Sequence, residues 1–227
     1  MHFSWVTETA VIQKTMGRIV SHEVHGSDIL FNGEEGRLKV RRAPGSLHVI
    51  YTCKKEFSGI KTFAVDQSGE TLPAPALSED GDRFTIESGS ACLTVAKRTS
   101  ALSFTDLRNN VILEALPLAW RKDTDAYTVT AAFHMRDNEH FYGLGEKTGF
   151  LNKRRYRYRM WNSGQTTYTP GADPLGKSIP LVIAFNGQSA YGLYIDKTCN
   201  MYIDLGETDD EKYSVEVNDS ELEFYSC

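Results

Sequence analysis

Residues 178–195 read SIPLVIAFNGQSAYGLYI, and this stretch decides the fold. Ser178 to Phe185 is an almost unbroken apolar run of strand length, the pattern of a strand covered on both faces. Asn186-Gly187 follows, the strongest short hairpin signal in the chain, because type I′ turns need positive φ at both central positions. Ala190 to Ile195 then returns as the second strand. The reading is an antiparallel hairpin whose first strand is covered on both faces.

The pattern extends outward in both directions. Upstream, Arg83 to Ser88 alternates with Phe84 and Ile86 on one face, and Ala91 to Lys97 places Leu93 and Val95 together. Leu102 and Phe104 alternate up to a turn at Arg108-Asn109-Asn110, from which Val111 to Leu116 returns as the hairpin partner. Tyr127 to Met135 is a further strand. Downstream, Met201 to Leu205 and Tyr213 to Val217 continue the series. No segment carries a long apolar stripe at helical period. Many short strands separated by turn signals predict an all-β protein, a large antiparallel β-sandwich. Leu72 to Asp82, rich in Pro, Ala and acidic residues, reads as a surface loop rather than a linker.

Composition sets the limits. The chain has 227 residues, 41% of them hydrophobic, which is ample for a core and too much for disorder. Acidic residues outnumber basic ones 30 to 25, for a net charge of -5, which argues against a dedicated nucleic-acid binder. The apolar runs are strand-sized, so no transmembrane helix is predicted. The opening MHFSWVTETAVIQKTMG has no charged n-region, apolar h-region or cleavage site, so no signal peptide is expected. Cys53, Cys92, Cys199 and Cys227 form no CxxC pair, and histidine spacing matches no zinc pattern. Reduced structural thiols, a cytoplasmic setting, and no metal or cofactor are the expectation.

The candidate sites cluster between His140 and Pro180, in HFYGLGEKTGFLNKRRYRYRMWNSGQTTYTPGADPLGKSIP. A long loop rich in Gly, aromatic and basic residues between strands is a common place for a polar ligand site. Gly143 and Gly145 in FYGLGEK form a lone GxG, weak as a phosphate cradle outside a βαβ unit and better read as a tight turn. Glu146 lacks the second carboxylate that glycoside hydrolysis needs, and a charge pair with a nearby Lys or Arg is the favoured reading. Lys153 to Arg159 alternates basic and aromatic residues. This fits single-stranded nucleic acid, or a strand with a basic edge and an aromatic face, and the net charge favours the strand. Trp161 and Asn162 suit sugar recognition, with a ring face for C–H patches and an amide for hydroxyls. A buried Trp and a turn-capping Asn fit equally well.

The motifs HFYGLGEKTGFLNKR, MWN and DPLGKSIP, in that order and spacing, resemble the N-terminal domain of glycoside hydrolase family 31, which includes α-glucosidases and α-xylosidases. The resemblance implies a galactose mutarotase-like supersandwich spanning 1–227 as a single N-terminal domain, with 150–178 as the substrate-shaping loop region. It also implies a catalytic (β/α)8 barrel after residue 227. The terminal ELEFYSC resembles the strand that leads into that barrel, so Cys227 is expected to be a boundary within a longer protein.

In this family the nucleophile and acid/base are aspartates of the barrel, so no catalytic residue is expected in this chain, and the chain alone is expected to be inactive. A retaining glycosidase needs two carboxyl groups roughly 5 Å apart across the scissile bond. The implied role is support of the barrel and shaping of the sugar pocket for an α-linked oligosaccharide or glycoside, through Trp161, Asn162, Gly164 and Gln165. Many relatives read Trp-Asn-Thr-Asp here; Gly164 stands in place of that aspartate, and the Gln165 amide is a weaker neutral substitute. Gly176 likewise replaces a frequent Tyr. Two alternatives remain: a stand-alone carbohydrate-binding module, and a mutarotase-like epimerase drawing on His134, His140 and Glu146. Without its barrel the domain is expected to expose an apolar patch around the C-terminal strand and to favour homo-oligomers.

Overall fold

The computed structural model of the chain describes residues 13–66, 72–89, 91–164 and 167–226. Gln165, Cys227 and the opening residues 1–12 lie outside the described residues. Every regular element described is a strand. In chain order they are β1 (Lys14–Thr15), β2 (Ile19–His25), β3 (Asp28–Gly33), β4 (Gly36–Ala43), β5 (Ser46–Thr52), β6 (Ala76–Glu79) and β7 (Arg83–Glu87). There follow β8 (Cys92–Ala96), β9 (Leu102–Thr105), β10 (Val111–Ala115), β11 (Ala119–Asp123), β12 (Ala126–His134) and β13 (His140–Gly145). The last are β14 (Arg157–Met160), β15 (Ser178–Phe185), β16 (Ala190–Ile195), β17 (Met201–Asp204), β18 (Lys212–Val217) and β19 (Glu221–Ser226).

These strands form two antiparallel sheets. One runs β14-β17-β18-β12-β10-β9-β8-β7-β6, with β11 and β1 branching from β12. The other runs β13-β15-β16-β19-β5-β4-β3-β2. Alternation places Phe84, Ile86, Leu93, Val95, Phe133 and Val215 of the first sheet against Phe31, Leu38, Val40, Val49, Leu193 and Phe224 of the second, all buried. Aromatic rings tie the layers together. Phe133 meets Phe224 edge-on at 6.4 Å, and Phe141 lies 5.0 Å from Tyr213. The expected all-β antiparallel sandwich is therefore observed.

Several local expectations change. Ala76 to Glu79, read as loop, is the edge strand β6. The region read as a long loop contains β13 and β14. The β15–β16 hairpin, by contrast, forms with the expected strand bounds, and residues 186–189 close it: Asn186 N–H donates to the Ser189 carbonyl, and Asn186 Oδ1 accepts from the N–H groups of Gln188 and Ser189. β15 is covered on one face only. Val182 and Ala184 are buried, whereas Ile183 and Phe185 are exposed. The terminal strand is also not the apolar patch. β19 pairs with β16 and with β5, and Glu221 to Phe224 are all buried. The exposed apolar side chains concentrate instead between Phe150 and Phe185.

Candidate functional site

At one end of the sandwich the chain crosses between sheets. β14 is the edge strand of one sheet, and the segment leaving it returns as β15 in the other. Beneath this crossing lies a cleft of about 400 Å3, lined on one side by Met160, Trp161, Asn162, Ser178 and Pro180. Its other walls are Tyr194, Asp196 to Cys199, Met201, Thr62 and Ala64.

The crossing is pinned by short bonds. Ser178 N–H donates to Asn162 Oδ1 at 2.8 Å, and Ser178 Oγ donates to the Trp161 carbonyl at 3.2 Å. Ser163 N–H donates to the Leu175 carbonyl at 3.0 Å. Trp161 is 47% exposed, so its ring is a surface platform rather than a core side chain. Among the described residues Asn162 caps no local turn; its Oδ1 holds the first residue of β15 instead, which fixes its amide orientation. Gly164 is exposed, and a Cβ added there would meet nothing within 4 Å. Gln165 lies outside the described residues.

The far wall carries charge. Asp196 is 1% exposed; it accepts from Thr62 Oγ1 and from the Tyr194 hydroxyl through Oδ1, and its Oδ2 has no hydrogen-bond partner among the described residues. Burial, then Asp196, pushes the Tyr194 phenol up to about 12. Burial works against the charge on Lys197, but Asp219 at 2.8 Å and Glu221 at 3.7 Å outweigh it and hold the ammonium above its ordinary value. Burial raises the Cys199 thiol, which is then a poor nucleophile. Sequence reasoning did not single out Asp196 or Thr62, because their meeting joins segments far apart in the chain.

The other candidates fall elsewhere. His134 ends β12 opposite Lys212, while His140 opens β13 in the other sheet with its Nδ1 2.9 Å from Asn152 Nδ2. Glu146 is exposed just beyond β13, and among the described residues it forms no ion pair, contrary to expectation. None of the three lines the cleft, so the convergence an epimerase requires is not formed there. The basic and aromatic run ends in the strand β14, with Tyr158 and Met160 turned inward, while residues 153–156 precede that strand. Four of the run's five cations are engaged internally, and Arg155 is exposed. Lys153 Nζ donates to the Lys147 and Thr148 carbonyls at 3.3 and 3.1 Å, and Arg154 Nη1 to the Arg136 and Glu139 carbonyls at 2.7 and 2.8 Å. Arg159 Nε donates to Asn200 Oδ1 at 3.0 Å, and Arg157 lies 4.2 Å from the Tyr202 ring.

Comparison with known proteins places this geometry. The profile of the glycosyl hydrolase 31 N-terminal galactose mutarotase-like domain matches residues 35–204. The chain is 27% identical over 201 residues to Alpha-glucosidase 2 of Bacillus thermoamyloliquefaciens, covering 86% of this chain and 25% of that protein. It is 26% identical over 157 residues to Alpha-xylosidase XylQ of Lactiplantibacillus pentosus, covering 67% of this chain and 20% of that protein. Among solved structures, a Flavobacterium johnsoniae GH31 dextranase complexed with isomaltotriose superposes with a TM-score of 0.82 at 23% identity, covering 94% of this chain and 26% of that one. The chain thus spans about a quarter of the length of these first matches.

Proposed function

The chain belongs to the glycosyl hydrolase 31 N-terminal galactose mutarotase-like family, and from that premise we propose that it is the non-catalytic sandwich of a retaining α-glycosidase, α-glucosidase-like in its substrate. In this reading 1–227 is one domain, and the catalytic barrel follows it. The sandwich supports that barrel and lays the segment between β14 and β15 along the sugar pocket. A cytoplasmic setting belongs to the same reading, supported by the free thiols of Cys53, Cys92 and Cys199.

The observation that carries the proposal is the pinned, half-exposed Trp161 beside Asn162, at the rim of a cleft and next to the open apolar face of β15. A rigid aromatic platform beside a fixed amide suits a sugar ring. The exposed Ile183 and Phe185 suit contact with further polypeptide of the same protein. In the polypeptide extended through the barrel, Trp161→Ala is expected to raise KM for p-nitrophenyl α-glucoside about tenfold or more, since aromatic platforms rank among the dominant contacts of binding sites. An unchanged KM would remove the substrate-shaping role.

A further inference from the structure

We propose that Lys147 is the positioning residue of the sugar-facing segment, its buried ammonium fixing Trp161 and Asn162 by gripping both ends of residues 161–177 at once. The inference rests on the reading that this segment meets the sugar.

The Lys147 side chain is 0% exposed. Its Nζ donates to the Arg159 carbonyl at 2.8 Å, to Asp173 Oδ1 at 2.9 Å and to Ser178 Oγ at 3.4 Å. An ammonium has three N–H donors, and here three acceptors meet them. The acceptors come from three places in the chain: β14 just before Trp161, the interior of the segment, and the first residue of β15. Asp173 closes the ring, because its Oδ2 accepts the Arg159 N–H. Ser178 then passes the position on, donating from Oγ to the Trp161 carbonyl and from its N–H to Asn162 Oδ1. One residue therefore separates Lys147 from Trp161 and from Asn162. The lysine's own backbone is held from below, where Lys153 Nζ donates to the Lys147 carbonyl.

The grip depends on charge as well as shape. Removing the ammonium leaves a partly buried Asp173 carboxylate without its counter-charge, which favours withdrawal of the segment into water. A lysine that merely filled space would let the segment stay where it is when an apolar side chain replaced it.

The test labels the tryptophans Trp5, Trp120 and Trp161 with 5-fluorotryptophan and assigns the Trp161 19F resonance by Trp161→Phe. Lys147→Met is compared with Lys147→Met/Asp173→Leu, which removes both charges together. The double variant carries the measurement if the single one does not fold. The expected result is a displaced or broadened Trp161 resonance in both variants, with that of Trp120 unmoved. In the barrel-containing polypeptide, KM for p-nitrophenyl α-glucoside should rise at least about tenfold with kcat within about threefold, as misplacement of a binding group predicts. An unmoved Trp161 resonance overturns the proposal. A KM raised by Trp161→Ala but not by the Lys147 variants sinks the Lys147 inference alone. A KM raised by neither sinks the sugar-contact reading, and this inference with it.

Discussion

Gly164 is exposed, has ordinary backbone geometry, and offers open space to a Cβ. Aspartate can therefore be placed there without strain, restoring the carboxylate that many relatives are expected to carry. Gly164→Asp should change stability by no more than about 0.5 kcal/mol, as for other surface substitutions. In the barrel-containing polypeptide its charged acceptor should lower KM for p-nitrophenyl α-glucoside severalfold, which steady-state kinetics would show. An unaltered KM would mean that residue 164 faces away from the sugar. The contrast with Asp196 is instructive. That carboxylate is already in the cleft wall but is held by Thr62 and enclosed, so it is no substitute exposed on the rim.

At the scale of elements, β13 and β15 depend on two glycines. Gly143 has φ 103°, and a Cβ there would sit 2.3 Å from the Leu181 carbonyl oxygen. At Gly145, with φ 81°, it would sit 2.7 Å from the Lys177 carbonyl oxygen. The register shifts between them, so this is a bulge in the β13–β15 ladder. Gly143→Ala should cost about 2 kcal/mol or more, because positive-φ strain and a backbone clash add. Urea denaturation measures it, and a loss under about 0.5 kcal/mol would mean that the bulge is not rigid.

FYGLGEK is not the tight turn expected from its glycines but the strand β13 with a bulge, although positions 143 and 145 do require Gly. Glycine density pulls a sequence reading towards loop, whereas pairing with β15 makes His140 to Gly145 a strand. β14 was legible in part, since alternation of Arg157 and Arg159 with Tyr158 and Met160 is a strand pattern. β7 to β10, β12 and the β15–β16 hairpin were plain, because their apolar residues alternate or run between turn signals. β2 to β5 were not singled out. Charges at Glu23 in β2 and at Arg37, Lys39 and Arg41 in β4 dilute the apolar signal of those two strands, whereas β5 is buried throughout and carries no such charge. The open face of β15 was beyond reach, since a continuous apolar run does not reveal what covers it. Trp161 and Asn162 were legible as residue types. Thr62 and Asp196 were not, because only tertiary pairing brings them together.

The whole molecule is closed by pairing between distant parts of the chain. β5 runs against β19 along six residue pairs, from Glu221 opposite Thr52 to Ser226 opposite Leu47. The resulting core holds Tyr51, Tyr191 and Tyr213 deep inside, and burial raises all three phenols above the ordinary value of about 10. Burial likewise raises Tyr158 and Tyr225, and takes Tyr194 to about 12. The sign follows by linkage. Above pH about 10 the unfolded chain releases phenolic protons that the folded chain keeps, so stability falls as pH rises further. The stabilisation is fully present below pH about 10 and is lost as pH climbs towards and beyond these raised values. Circular dichroism and tyrosinate absorbance, followed together from pH 9 to 12, should show that part of the eleven tyrosines ionises only as the fold is lost. Ionisation of all of them while the dichroism stays native would contradict the described burial.

The central claim is that this chain forms one wall of a sugar pocket and leaves the chemistry to a barrel beyond residue 227. The most direct measurement is hydrolysis of p-nitrophenyl α-glucoside and α-xyloside by the 227-residue chain and by the same polypeptide extended past Cys227. The account predicts hydrolysis only by the extended form. Hydrolysis by the 227-residue chain alone would place a working carboxylate pair within these residues and contradict it.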